Sequence, residues 1–242
     1  MKHLSIYTIL AATDHRPFPY PAGKWAFYQE WQEVLFLHWK IPYELLRRIV
    51  PAALTLDSYQ GNYYVSLVPF TMRKVRPRYL PAFPPISDFH EVNLRTYILQ
   101  DGHKGVYFLN IEAEKWISTL LSKMISGMPY EKSSIRRTNT TYQAAHRPKA
   151  YSLQLDYTVS NERFLKTELD TWLTERYCLF LTEKQKIVRF DVHHLEWEIK
   201  ALKLNTCQLH YRVGNLLLAN TPPDLLHYSP GVQVVAWPKK QC

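Results

Sequence analysis

Runs of aromatic and β-branched residues recur along nearly the whole chain, each ended by Pro, Gly or a polar turn. Such residues suit pleated, half-buried surfaces, so this pattern confines the chain to a β-rich domain. The runs are Glu33–Trp39, Tyr63–Phe70, Glu91–Leu99, Gly105–Ile111, Tyr142–Ala145, Ala150–Val159, Cys178–Thr182, Ile187–Val192 and Val232–Trp237. Asp101-Gly102 between two of them predicts a hairpin. Helical spacing is confined to Tyr43–Val50, Glu114–Ile125 and Phe164–Leu173, while Leu195–Leu204 fits either period. Residues 73–88, with Pro77, Pro81, Pro84 and Pro85, read as a long irregular loop of the kind that often covers a site. No linker or internal repeat divides the 242 residues, so 1–242 reads as a single α+β, mostly β domain.

Composition then excludes several function classes. With only 7 Gly and no glycine-rich phosphate loop, nucleotide binding of that kind is ruled out. Cys178, Cys207 and Cys242 are isolated and odd in number, which argues against a zinc site or a disulfide framework and for reduced thiols in the cytoplasm. The apolar run Leu4–Ala12 is nine residues long, short for a signal peptide core and far below a membrane span. The net charge of +9 favours anionic ligands, but the basic residues are scattered and accompany no nucleic-acid motif. A basic nucleic-acid or protein interaction module is therefore the weaker alternative, and a homo-oligomer stays open.

One strand concentrates the polar chemistry. On Glu91–Tyr97 the period of two puts Glu91, Asn93, Arg95 and Tyr97 on one face and Val92, Leu94 and Thr96 on the other. Spacing alone leaves this face either open to solvent or lining a cavity. His38, at the end of an apolar strand, reads as a core histidine or a pocket acid or base. In Asp191-Val192-His193-His194 the adjacent histidines face opposite ways, so no metal site is expected. No serine or cysteine has a nucleophile signature, and nothing local marks Lys115, Lys123 or Lys132 as a Schiff-base lysine.

Several stretches, taken in order, carry a family resemblance: Phe36-Leu37-His38-Trp39-Lys40-Ile41-Pro42, Tyr64–Phe70 with Arg76-Pro77-Arg78, Phe89–Tyr97, Gly105-Val106-Tyr107-Phe108, Leu173–Tyr177, His194 with Trp197, and His227–Val232. From about His15 to Trp237 the chain resembles the YqjF-like family, a domain of unknown function similar in fold to acetoacetate decarboxylase. The resemblance implies a closed β-barrel or curved sheet around a central cavity, with a few peripheral helices and Glu91 on the pocket wall. Gly127-Met128-Pro129-Tyr130-Glu131 resembles the decarboxylase segment that supplies the Schiff-base lysine, with Tyr130 and Glu131 in place of the two lysines. A lyase-like activity would then run without that lysine.

The resulting expectation is a small organic ligand, anionic or carbonyl-containing, with no cofactor and no metal. Glu91 is the candidate acid or base. Arg95, His38, Tyr97, Tyr130, Arg176, Tyr177 and His194 are the candidate binding residues. A lyase or hydrolase using Glu91 is the alternative.

Overall fold

The computed structural model describes residues 3–115, 130–162, 164–183 and 186–242. Among these, the strands in chain order are β1 Phe27–Ile41, β2 Tyr63–Pro77, β3 Phe89–Gln100, β4 His103–Ala113, β5 Tyr130–Lys132, β6 Ser134–Arg137 and β7 Thr141–His146. The second half adds β8 Tyr151–Val159, β9 Cys178–Glu183, β10 Lys186–His193, β11 Leu202–Val213, β12 Leu216–Ala219, β13 Leu225–Ala236 and β14 Lys240–Gln241. Nine strands form one sheet in the order β13-β1-β2-β3-β4-β9-β10-β14, with β5 beside β4, and five form a second sheet, β12-β11-β8-β7-β6. The β4–β5 and β4–β9 pairs are parallel. The other pairs are antiparallel, among them the β3–β4 hairpin.

Irregularities bend the large sheet. The β1–β2 register shifts between Gln32 and Leu37, and Glu33 there has φ 51°. A β-bulge of this kind kinks the strand and increases its twist. Opposite Gln32 sits Gly231, with φ +121°, where an added Cβ would lie 2.1 Å from the Trp31 carbonyl oxygen. Glycine alone allows β13 to cross β1 so closely. The curvature brings β10 back to β13, but only through Val192–Ala236 and His193–Val235. Of the two forms expected, a closed barrel or a curved sheet, the structure is the curved sheet.

Alternation then sorts the side chains into two apolar layers. Leu35, Leu37, Val92, Leu94 and Ile98 face the second sheet, packing with Tyr142, Leu153, Leu155 and Leu209. Val34, Phe36, Val68, Phe70 and Met72 face the concave side with Val192, Trp197 and Val234. Each fully buried side chain of this type contributes about 1.5–3 kcal/mol by leaving water. The helices, Ile6–Ala11, Tyr43–Ile49, Pro84–Ser87 and Glu168–Thr174, are short and peripheral. The last begins four residues later than its apolar spacing suggests, because Thr167 and Asp170 form a capping box that fixes its start.

One sequence expectation changes, one open reading closes, and one falls outside the described residues. Residues 73–77 extend β2 rather than opening a loop, since Arg73, Arg76 and Pro77 find partners on β1. Pairing with a neighbouring strand outweighs the local proline and arginine content there. Leu195–Leu204 is irregular up to Ala201 and then enters β11. The helix expected over Glu114–Ile125, Lys123 and the Gly127-Met128-Pro129 segment lie outside the described residues, apart from Glu114 and Lys115. No described helix is long and apolar enough to cross a membrane.

Candidate functional site

The concave side of the large sheet holds a cavity of about 90 Å³. A water needs roughly 10–15 Å³ by the same measure, so the space takes several waters or a small organic molecule. Its wall is mostly apolar, with Trp31, Phe36, Phe70, Met72, Phe190 and Trp197 among the lining residues. Trp31 and Trp197 stack at 6.0 Å, and Phe36 meets Trp197 edge-on at 5.2 Å. Fixed aromatic pairs of this kind give the wall a defined shape.

Into this wall β3 inserts its polar face: Glu91, Asn93 and Arg95 all line the cavity, and Tyr130 reaches it from β5. Glu91 is buried, accepting from Asn93 Nδ2 at 3.2 Å and from the Tyr130 hydroxyl at 3.3 Å. Burial pushes its carboxyl up to about 7, against the pull of those two hydrogen bonds. A carboxyl titrating there donates and accepts a proton with comparable ease at neutral pH. Tyr130 itself is held well above the ordinary phenol range by burial and by Glu91, so its hydroxyl stays a donor.

Arg95 is buried four residues further along, about 13 Å from Glu91 measured along the strand. Its guanidinium lies 5.5 Å from the centre of the Phe36 ring. Among the described residues it forms no ion pair, and neither Nε nor Nη2 has a hydrogen-bond partner. Asn93 Oδ1 and Trp31 Nε1, from two other lining residues, are likewise buried without a partner. Buried polar atoms are normally satisfied, and four of those left without a partner among the described residues surround this one small cavity.

The remaining sequence candidates lie off the wall. His38 and Tyr97 are fully buried behind Arg95, joined through Ser66: His38 Nδ1 is 2.6 Å and the Tyr97 hydroxyl 2.5 Å from Ser66 Oγ. Arg176 donates to Asp57 Oδ2 at 2.7 Å and stacks on Trp172 at 4.3 Å, which ties the Glu168–Thr174 helix to the segment before β2. Tyr177 donates to Glu175, and His194 stacks on Tyr177 at 4.7 Å with its Nδ1 hydrogen-bonded to the Leu195 carbonyl. Asn93 shares the period-two face of Glu91 and Arg95, whereas Trp31 and Phe36, five residues apart on β1, reach the same wall through the register shift between Gln32 and Leu37, which the sequence does not announce. Among the described residues no group of three or more histidines, cysteines and carboxylates is placed to hold a metal ion.

Among the described residues, Lys115 and Lys132 lie off the cavity wall. Tyr130 and Glu131 pair in parallel with Ile111 and Glu112. Tyr130 turns toward Glu91, while Glu131 turns the other way to Lys149 and His146. Lys132 is exposed, and Lys115 Nζ donates to the Asp88 carbonyl at 2.8 Å. Lys239 is the one described lysine on the cavity wall, and its Nζ lies 2.8 Å from Glu183 Oε1.

A family model described as an uncharacterized conserved protein matches residues 28–233, which take in the whole second sheet and β2 to β5 of the first. The chain belongs to this DUF2071 family. The Uncharacterized protein YqjF of Bacillus subtilis (strain 168) is 33% identical over 241 residues, covering 91% of this chain and 94% of the relative. Among solved structures, an acetoacetate decarboxylase-like enzyme from Sphingomonas wittichii RW1 superposes with a TM-score of 0.57 at 13% identity, covering 91% of this chain and 94% of that one. The enduracididine biosynthesis enzyme MppR, complexed with pyruvate, gives 0.58 at 9% identity over 93% of each chain. At these identities the shared property is the fold: this DUF2071 chain has the acetoacetate decarboxylase-like architecture.

Proposed function

We propose that the protein binds a small organic carboxylate, of the kind that carries a neighbouring carbonyl, in the cavity of the curved sheet. The carboxylate lies on the Nε–Nη2 edge of Arg95, and the rest of the molecule packs against Trp31, Phe36 and Phe70, with Glu91 and Asn93 at the far pole. One observation carries this reading: both donors on one edge of a buried guanidinium lack an acceptor among the described residues. That edge presents two parallel N–H groups at the spacing of a carboxylate's oxygens. A buried charge without a partner costs several kcal/mol, and an anionic ligand removes that cost. Glu91 does not serve as the counter-ion, since burial favours its neutral form. The pyruvate held by MppR, which shares this fold, is a ligand of the same class. We place the protein in the cytoplasm on its three free cysteines.

The test is a thermal-shift series with pyruvate, acetoacetate and apolar amides of equal size, on the wild type and on Arg95→Met. A bound ligand raises Tm by mass action. The carboxylates stabilise the wild type and leave Arg95→Met unchanged, while the unliganded variant is at least as stable as the wild type, because it loses an unpaired buried charge. Persistent stabilisation of Arg95→Met by carboxylates overturns the reading.

A second reading, an enzyme of lyase or hydrolase type, is favoured by the Glu91 carboxyl at about 7 beside the Tyr130 hydroxyl. In it Glu91 shuttles a proton to or from the bound carbonyl compound without a covalent lysine. Exchange of α-hydrogens for deuterium in bound pyruvate, lost in Glu91→Gln, supports it. A borohydride-trapped lysine adduct argues for a covalent route instead.

A further inference from the structure

The connection from β2 to β3 holds the uncharged run Tyr79-Leu80-Pro81-Ala82-Phe83-Pro84-Pro85-Ile86. Nine large apolar side chains stand exposed among the described residues, and four of them fall in this run: Tyr79 at 79%, Leu80 at 57%, Phe83 at 61% and Ile86 at 45%. Exposed apolar residues scattered singly are ordinary, whereas a cluster of them marks a contact surface. The backbone of the run is fixed. The Leu80 N–H donates to the Pro77 carbonyl at 3.2 Å, and the Ile86 and Ser87 N–H groups donate to the Phe83 carbonyl at 3.0 and 2.8 Å. Arg76 Nη1 donates to the Arg78 and Leu80 carbonyls at 3.2 and 3.4 Å. Pro81, Pro84 and Pro85 restrict φ as well, so these apolar side chains are held out in water rather than tucked under the sheet.

The charges around the run are mostly of one sign. From Arg73 to Asp88 the chain carries four basic side chains, Arg73, Lys74, Arg76 and Arg78, against the single acid Asp88. Asp88 pairs with Arg73 at 3.2 Å, and the buried Glu30 of β1 pairs with Lys74 at 3.0 Å. In each pair the cation is the more exposed partner, so the surface presents the positive charge. The Ile6–Ala11 helix adjoins these cations, since Ile6 shares a surface hollow with Lys74 and Arg76, and it carries a further exposed ring, Tyr7.

We propose that this face is a docking surface for an anionic phospholipid membrane. The run Tyr79–Ile86 enters the boundary between headgroups and acyl chains, and Arg73, Lys74, Arg76 and Arg78 meet the lipid phosphates. Apolar and aromatic side chains with cations beside them are the pattern of interfacial binding, and anionic lipids attract basic residues close to the surface. No described helix is long and apolar enough to cross a membrane, so the contact is peripheral. The charge argues against a second copy as the occupant: a two-fold contact sets each patch against itself, cation to cation, and like charges across an interface suppress pairing. Pro77, at the foot of the run, pairs with Phe27 of the cavity wall, so docking brings that end of the cavity toward the lipid. The surface is independent of the carboxylate reading of Arg95.

Co-sedimentation of the full chain with vesicles of phosphatidylglycerol, and separately of phosphatidylcholine, tests this at low salt. The protein is expected to pellet with phosphatidylglycerol and to stay in solution with phosphatidylcholine, and added salt releases it by screening the charges. Leu80→Asp combined with Phe83→Asp weakens the phosphatidylglycerol binding roughly tenfold or more, by removing apolar contact and adding repulsion. Both positions are exposed, so this double variant keeps the wild-type Tm. Arg73→Gln combined with Arg78→Gln, which leaves the apolar run intact, also weakens binding roughly tenfold. Absence of the protein from the phosphatidylglycerol pellet at low salt overturns the proposal, as does equal binding to phosphatidylcholine. Binding that either double variant leaves unchanged overturns it too. So does a wild-type dimer in sedimentation velocity that Leu80→Asp with Phe83→Asp dissociates, because the face then belongs to a second copy.

Discussion

Replacing Glu91 by Gln removes the titration of the one carboxyl that lines the cavity among the described residues. The folded protein holds this proton up to about pH 7, whereas an ordinary glutamate releases it near 4.5. Between those values the folded state binds more protons than the unfolded chain, so stability falls as pH rises. Below 4.5 both states are protonated and Glu91 costs nothing by this route. Above 7 both are ionised and the cost is complete. At about 1.4 kcal/mol per pH unit, the window is worth about 3 kcal/mol. Full burial of the side chain means that little solvent screening reduces this figure. Glu91→Gln keeps the shape, and a neutral amide has no proton to lose. Urea denaturation of both proteins at half-unit steps from pH 4 to 8 isolates the effect, because all other titrations cancel in the difference. The variant gains on the wild type by about 3 kcal/mol between pH 4.5 and 7, then levels off. A difference that stays flat across the window, or that moves the other way, refutes the reading that burial holds Glu91 protonated toward neutral pH.

Asp57→Ala leaves the Arg176 guanidinium buried without its carboxylate and lowers stability by about 3–5 kcal/mol in urea denaturation, with cavity binding unaffected. Gly231→Ala places a methyl 2.1 Å from the Trp31 carbonyl at a positive φ, and costs about 3 kcal/mol or more, read as a lowered Tm or loss of soluble protein.

The sequence carries β3 well because its register is written locally: a period of two assigns Glu91, Asn93 and Arg95 to one face without knowledge of any neighbour. The hairpin to β4 is legible for the same reason, through Asp101 and Gly102, which take positive φ in the turn. What escapes is whatever two distant segments create together. Nothing near Arg176 announces Asp57, 119 residues away, and nothing near Asp170 announces His227. His38, Tyr177 and His194 attract attention as polar rings in apolar runs, yet in the fold each already holds a hydrogen-bond partner. The end of β2 misleads through its prolines and arginines, because its pairing with β1 lies some 45 residues back in the chain.

The strand β3 is a tape with two tracks. Positions 91, 93 and 95 face the cavity, and positions 92, 94 and 98 sit in the core between the sheets. Substitution on the first track reshapes the cavity wall while the second goes on specifying how the chain folds. Point changes on alternate residues of such a strand therefore remodel the cavity without renegotiating the core. A single inserted residue has the opposite consequence: it exchanges the tracks beyond it, and the chain loses cavity wall and core in one step.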